Sequence, residues 1–147
     1  MKISVFKDQK KEFICRGALI ASDLFWLNVS LGLSFLTVMF FIGDLNTFMP
    51  ILQIDVRVLS HFILTVMCVF WFGVRLRHYA QKKPFWSELK ETLRTIVIFS
   101  IFDLALVAFS KWHFSRYIWA YCWLYAIIMV PLSREFTKII LNKFGYW

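Results

Sequence analysis

Two aspartates and a histidine stand inside or beside long apolar runs of this sequence. Asp103 and Asp23 each lie within such a run, and His61 lies near one end of another. Carboxylate and imidazole groups take up and release protons, and ionisable groups within membrane segments mark ion paths and proton relays. One hypothesis for these three residues is therefore a proton or ion relay.

The alternative hypothesis for Asp103 is structural. A carboxylate at the centre of a bilayer costs at least about 2.5–3.5 kcal/mol, so it pairs, becomes protonated or faces other helices. Asp103 shares one helical face with Ser100, Val107 and Ser110. A hydrogen bond from this face to another helix would fix the geometry of a bundle. We favour this interpretation, because a transporter usually needs more polar lining and broken helices.

The other two residues have similar structural interpretations. Asp23 lies nearer one end of its run, where Arg16 or Arg94 could reach it. His61 is expected to pack at the end of its run, among interface-seeking side chains. We therefore expect all three buried polar residues to be structural rather than catalytic.

A second group of residues points to the membrane surface. Basic and aromatic side chains follow one another closely after the second apolar run: Arg75, Arg77, Lys82, Lys83, Phe85 and Trp86. Each such cation near the surface contributes about 1 kcal/mol to the attraction of anionic lipid head groups. Simple anchoring of the helix ends at the membrane boundary would explain the same residues. The sequence contains no phosphate-cradling glycine loop, no nucleophile with a base, and no Cys/His metal spacing. It predicts no catalytic residue and no metal ligand.

Four apolar runs must carry these residues. The predicted spans are residues 17–42, 58–76, 93–112 and 115–132, each close to the 20 or so residues that a bilayer requires. In the first span Asp23, Ser30, Ser34 and Thr37 recur on one helical face, which should point into the bundle. The sequence predicts an all-α membrane protein, a four-helix transmembrane bundle forming a single membrane domain over residues 1–147.

Beyond Pro131 the pattern changes. Apolar residues recur at helical spacing, while Arg134, Lys138 and Asn142 occupy another side. This segregation predicts a basic amphipathic helix over residues 133–144, lying on the cytoplasmic surface of the membrane.

The basic residues are distributed unevenly between the linkers. Of the 17 lysines and arginines, five precede the first run, six lie between the second and third runs, and three follow the fourth. By the positive-inside rule, both termini and the middle linker are expected in the cytoplasm. The net charge of +8 is thus explained by membrane orientation, and no nucleic-acid partner is expected.

Four segments resemble one family of bacterial membrane enzymes. They are residues 94–117, the stretch Val74-Arg-Leu-Arg-His-Tyr79, the stretch Lys83-Pro-Phe-Trp86, and the end Leu141-Asn-Lys-Phe-Gly-Tyr-Trp147. Together they make essentially the whole chain similar to the membrane part of the polyprenyl-phosphate sugar-1-phosphate transferases. These enzymes initiate the synthesis of O-antigen, capsule and other surface polysaccharides.

The resemblance implies a fold and a role. In the family, four spans and an amphipathic helix lead into a nucleotide-binding-like domain and then a catalytic domain, which carries an Asp-Glu pair and Mg²⁺. The reaction implied is transfer of galactose 1-phosphate from UDP-galactose to undecaprenyl phosphate. Because the soluble and catalytic domains are absent from residues 1–147, the resemblance carries no catalytic residue to any position, and the chain alone is expected to be inert.

The expected location is the bacterial inner membrane. The expected partners are the lipid bilayer, undecaprenyl phosphate or anionic lipids, and a second copy of the chain. Two alternatives to a membrane anchor remain open from the sequence: a small transporter or proton-coupled subunit using Asp103 and Asp23, and an assembly adaptor for glycan enzymes.

Overall fold

Four α-helices make up the part of the chain that the structure, a computed structural model, describes. That part is residues 2–41, 51–74, 84–109 and 116–144, with side chains from residue 13 in the first helix and from residue 54 in the second. The helices are α1 (Lys2–Phe41), α2 (Ile51–Val74), α3 (Phe85–Phe109) and α4 (Arg116–Lys143).

Neighbouring helices run antiparallel. Between α1 and α4, Thr37 contacts Tyr125 through their hydroxyl groups at 2.8 Å, and Thr137 donates a hydrogen bond to Ser22 at 3.2 Å. The residue numbers rise along one helix as they fall along the other. The contacts given below show the same order for α3 against α4. Helix α2 runs in the same direction as α4, since His61 lies near Cys122 and Phe72 near Arg134. The start of α1, the end of α2, the start of α3 and the end of α4 therefore lie together, and this is called the basic end of the bundle.

Three of the described helices are long and apolar enough to cross a membrane. These segments are Phe13–Phe41, Ile54–Val74 and Phe85–Phe109. Large apolar side chains on them point outward, as Phe25, Phe70 and Phe102 do with 59–67% of their surface exposed. An apolar exterior of this kind fits a lipid environment, since soluble proteins rarely expose large contiguous apolar surfaces. The prediction of an all-helical membrane protein is confirmed for these three segments.

The inward face of α1 agrees with its sequence pattern. Asp23, Ser30 and Ser34 are fully buried, and the hydroxyl groups of the two serines donate to the carbonyl oxygens of Leu27 and Leu31 in the preceding turn. Each hydroxyl is thereby satisfied inside its own helix. The polar stripe of α1 thus lines the interior of the bundle, as predicted.

The C-terminal segment differs from the prediction. A separate amphipathic helix over residues 133–144 is not confirmed, because α4 continues through Pro131 as one helix to Lys143. The proline removes one backbone donor, a loss that helices in membranes tolerate where neighbours compensate. Near this point the hydroxyl of Ser133 donates to the carbonyl oxygen of Val130 at 2.9 Å.

The orientation of this segment also differs from the prediction, because its apolar side faces outward and its basic side faces the other helices. Leu132, Phe136 and Ile139 are 63–66% exposed, whereas Arg134 is 2% exposed. The sequence segregated the apolar and basic sides correctly. However, the side expected to face water at the membrane surface instead faces the other helices, because Arg134 finds acidic and hydroxyl partners there.

The second helix begins earlier than predicted. It starts at Ile51, whereas the predicted span starts at residue 58, so α2 includes Arg57. The third helix begins at Phe85, before the predicted span of residues 93–112, and runs without a break to Phe109. These two boundaries bring Arg57 and Glu88 into helices that pack in the bundle.

Candidate functional site: two buried ion-pair clusters

The first cluster joins α2, α3 and α4 around a single carboxylate. Nη1 and Nη2 of Arg57 donate to Oδ1 and Oδ2 of Asp103, the second at 2.6 Å, which makes a bidentate ion pair. Nε1 of Trp123 donates to Oδ2 of Asp103 at 2.8 Å. The side chains of Arg57 and Asp103 are 1% and 0% exposed. These three residues are called the Asp103 cluster.

A histidine borders the Asp103 cluster. His61 lies one turn beyond Arg57 on α2 and is 1% exposed. Its Nε2 is 3.0 Å from the carbonyl oxygen of Leu27 on α1 and 4.0 Å from Sγ of Cys122 on α4. Its ring packs edge-on against that of Trp123, with the ring centroids 5.9 Å apart. His61 therefore connects α2 to both α1 and α4.

The second cluster joins α1, α3 and α4 nearer the basic end. Nε and Nη2 of Arg134 donate to Asp23, the shortest distance being 2.6 Å to Oδ2. Nη1 of Arg134 donates to Oγ1 of Thr92 at 2.7 Å. The guanidinium also lies 4.3 Å from the centre of the Phe72 ring on α2, a cation–π arrangement. Asp23, Thr92 and Arg134 form the core of what is called the Asp23 cluster.

Further charges extend the Asp23 cluster toward the helix ends. Glu88 of α3 lies with Oε1 3.6 Å from Nη1 of Arg134 and accepts a hydrogen bond from Lys138. Lys138 also contacts Glu135 at 2.8 Å, one turn earlier on α4. Exposure rises along this chain of contacts, from 3% for Arg134 to 14% for Lys138 and 40% for Glu135. The network therefore runs from the bundle interior to its surface.

The geometry decides what these groups can do chemically. Asp103 and Asp23 are each held by a guanidinium through two hydrogen bonds or more, and such charge-assisted contacts are the strong ones. Along α3, Thr92 and Asp103 are eleven residues apart, about 16 Å at 1.5 Å per residue. Direct proton transfer between the clusters would need a chain of intervening groups. Paired, bidentate contacts between helices are instead suited to holding those helices in register.

The structure brings the predicted residues together only in part. Asp103, Asp23 and His61 are all buried, but Asp103 and His61 lie together while Asp23 lies in the other cluster. Asp23 pairs with Arg134, a partner that the sequence analysis did not name, and the contact with Arg16 or Arg94 stays a prediction.

Sequence reasoning missed three further members of the clusters. Arg57 lies just outside the predicted span of residues 58–76, Arg134 lies on the side predicted to face the membrane surface, and no sequence pattern marked Glu88 as buried. A signal for Arg57 was present, since it precedes the buried His61 by four residues and so shares its helical face.

The predicted surface residues lie at the basic end or outside the described part of the chain. Phe85 and Trp86 begin α3 and are 44% and 76% exposed, with their rings in edge-on contact at 5.2 Å. Arg75, Arg77, Lys82 and Lys83 fall outside the described residues. Within the described residues, no group of three His, Cys, Asp or Glu side chains could hold a metal ion. The expectation about Mg²⁺ stays a prediction.

Comparison with known proteins gives relatives along nearly the whole chain. No family model matches it. The chain is 54% identical over 134 residues to the undecaprenyl-phosphate galactose phosphotransferase of Salmonella typhimurium, covering 91% of this chain and 28% of the relative. It is 45% identical over 137 residues to the UDP-galactose-lipid carrier transferase of Erwinia amylovora, covering 93% of this chain and 29% of the relative.

A third relative is described only by its general class. An uncharacterized sugar transferase of Haemophilus influenzae is 43% identical over 135 residues, covering 92% of this chain and 29% of the relative. The chain thus spans less than a third of the length of these relatives. It is homologous, over more than nine-tenths of its own length, to the N-terminal part of this group of bacterial sugar transferases.

Proposed function

We propose that this chain is a four-span membrane domain that anchors and orients a sugar-1-phosphate transferase at the cytoplasmic face of the bacterial inner membrane. The observation that carries the proposal is the match of three apolar helices to the N-terminal part of such transferases. In this role the domain supplies attachment and orientation, and the chemistry belongs to other parts of the enzyme.

The fourth span of the proposal is α4. Its 28 residues correspond to about 42 Å at 1.5 Å per residue, longer than the hydrocarbon core of about 30 Å. Its charges at Arg134 and Lys138 are turned toward α1 and α3, and its apolar side chains point outward. A helix with this arrangement can lie in lipid, since its ionic groups face the bundle interior and are paired.

Exposed aromatic rings support a membrane boundary at the basic end. Phe13 of α1, Trp86 of α3 and Phe144 just after α4 are 70–79% exposed, and each lies near the basic end of its helix. Aromatic rings concentrate at membrane–water interfaces. The excess of lysine and arginine at this end supports its location in the cytoplasm, with both termini on that side.

The proposed reaction of the whole enzyme comes from the relatives' names. It is transfer of galactose 1-phosphate from UDP-galactose to undecaprenyl phosphate. The Mg²⁺ implied by the resemblance would act in a catalytic domain that residues 1–147 do not include, so no step is assigned to it in this chain.

One experiment tests the division between anchor and catalyst. The purified chain is incubated with UDP-galactose, undecaprenyl phosphate and Mg²⁺, and lipid-linked sugar is measured beside the intact Salmonella relative. We expect product from the relative and none from this chain. Turnover by this chain at a comparable rate would contradict the proposal.

The two clusters favour an anchor over a proton-coupled transporter. Asp103 and Asp23 both have buried arginine partners, as expected for groups that hold helices together. If either were a proton carrier, its neutral asparagine variant would abolish flux while leaving the bundle intact. We expect instead that the bundle itself loses stability.

A further inference from the structure

An apolar groove opens on the side of the bundle between α1 and α2. It has a volume of about 290 Å³ and is lined by Ile20, Leu24, Val66, Val69, Phe70, Gly73 and Val74. None of these side chains is polar. The groove lies in the half of the bundle nearer the basic end, because Ile20 and Leu24 belong to the first half of α1 and Val74 is the last residue of α2.

The length of the groove matches one leaflet of a bilayer. From Val66 to Val74 is eight residues, or about 12 Å along the axis of α2, against about 15 Å for half of a hydrocarbon core of about 30 Å. Both segments that form its walls are among the three able to cross a membrane. The medium beside the groove is then hydrocarbon, and an apolar chain from a single leaflet fits it in length and polarity.

Arg16 lies on α1 one turn beyond the groove, on the side of the basic end. Arg16 precedes the lining residues Ile20 and Leu24 by four and eight residues, so the three lie on one face of α1 in successive turns. Arg16 is partly exposed and lies about 6 Å beyond Ile20 along the axis. A lipid whose chain occupies the groove would therefore bring its phosphate group to the level of Arg16 along α1.

We propose that the groove, called the α1–α2 groove, binds one acyl chain of an anionic phospholipid from the leaflet at the basic end, with Arg16 contacting the phosphate. The apolar walls hold the chain, and the charge at the end of the groove selects the head group. Arginine suits this contact because its planar fork matches phosphate oxygens. The proposal is independent of the enzyme to which the domain is joined.

Native mass spectrometry of the purified chain tests the proposal. The chain in mild detergent is titrated with phosphatidylglycerol or with phosphatidylcholine of the same acyl chains. We expect one phosphatidylglycerol bound more tightly than any phosphatidylcholine. Arg16→Gln should weaken phosphatidylglycerol binding about fivefold, which corresponds to about 1 kcal/mol for one cation near a membrane surface, and should leave phosphatidylcholine unchanged.

Filling the groove gives a second and larger effect. Gly73→Leu should weaken binding of both lipids at least about tenfold, since the added side chain takes the place of the acyl chain. Gly32→Leu is the matched control, because a Cβ atom added there has no atom within 4 Å and Gly32 does not line the groove. If Gly73→Leu lowers the helix content seen by circular dichroism, Val74→Trp fills the exposed edge of the groove instead.

Three outcomes would overturn the proposal. One is equal lipid binding by the groove-filled variant and the Gly32→Leu control. Another is equal binding of the two lipids by the unmodified chain. The third is a dimer mass that disappears in the groove-filled variant, which would assign the groove to a second copy of the chain.

Discussion

The two ion-pair clusters hold their charges in different ways. In the Asp103 cluster one carboxylate takes both Nη atoms of Arg57 and the indole of Trp123, and the two charged side chains are at most 1% exposed. In the Asp23 cluster Arg134 is shared among Asp23, Thr92 and Glu88. Replacing Asp103 in the first cluster removes the acceptor that takes both Nη atoms of Arg57, whereas in the second cluster Arg134 keeps Thr92 and Glu88 when Asp23 is replaced.

The two clusters also differ in their access to solvent. The Asp23 cluster continues through Lys138 to Glu135, whose side chain is 40% exposed. Charges there can keep part of their hydration, so each contact is worth less. In the Asp103 cluster both charged side chains are at most 1% exposed. We infer that substitutions of charged residues destabilise the bundle less at the basic end, because Arg134 has several partners there and the charges have access to solvent.

The largest effect is expected from Asp103→Asn. Loss of the carboxylate charge leaves Arg57 buried opposite a neutral amide, which should lower the free energy of unfolding by about 3 kcal/mol. Unfolding is followed by circular dichroism during titration of mixed micelles with sodium dodecyl sulfate. The matched control is Asp55→Asn, the same change at an exposed site on α2, where less than about 0.5 kcal/mol is expected.

A double variant separates the charge from the packing. Arg57→Met with Asp103→Leu removes both charges together, and replacement of a buried ion pair by apolar residues is often neutral. We expect it to recover most of the stability lost in Asp103→Asn. A double variant no more stable than the single one would show that the geometry of the pair, and not the buried charge of Arg57, accounts for the loss.

A smaller effect is expected from Asp23→Asn. Arg134 keeps its hydrogen bond to Thr92 and its contact with Glu88, so the free energy of unfolding should fall by about 2 kcal/mol. The same unfolding titration measures it. A loss equal to or larger than that of Asp103→Asn would remove the distinction between the two clusters.

The smallest effect is expected from Lys138→Met, at the outer part of the Asp23 cluster. Its side chain is 14% exposed, and ion pairs near the surface contribute about 1 kcal/mol or less. Raising the salt concentration should shrink the difference from the unmodified chain, because exposed charges are screened. Lys143→Met, at an exposed position on the same helix, serves as the control and should change nothing measurable.

The sequence predicted the burial of individual residues well, but it did not predict which of them contact one another. The inward face of α1 and the burial of Asp103 follow from helical periodicity and the cost of a charge in lipid, and both are local properties. The partners do not follow from such properties. Arg57 lay just outside an apolar run, so a boundary drawn at residue 58 removed it from the helix that carries it to Asp103.

Arg134 shows a second limit of sequence reasoning. A helical wheel separates its side of α4 from that of Phe136, but separation alone does not say which side faces the other helices. In a soluble protein the apolar side of a helix faces the protein interior. In a membrane the polar side can face the interior instead, where other helices supply polar or charged partners. Asp23 and Thr92 are those partners, and they lie 111 and 42 residues away along the chain.

The central claim is that α4 crosses the membrane and returns the chain to the side on which it began. It is tested most directly by fusing green fluorescent protein or alkaline phosphatase after Phe109 and after Trp147 in a bacterial host. The account predicts phosphatase activity and no fluorescence after Phe109, and fluorescence without phosphatase activity after Trp147. Phosphatase activity at both positions would contradict it, because α4 would then lie on the outer surface instead of spanning the bilayer.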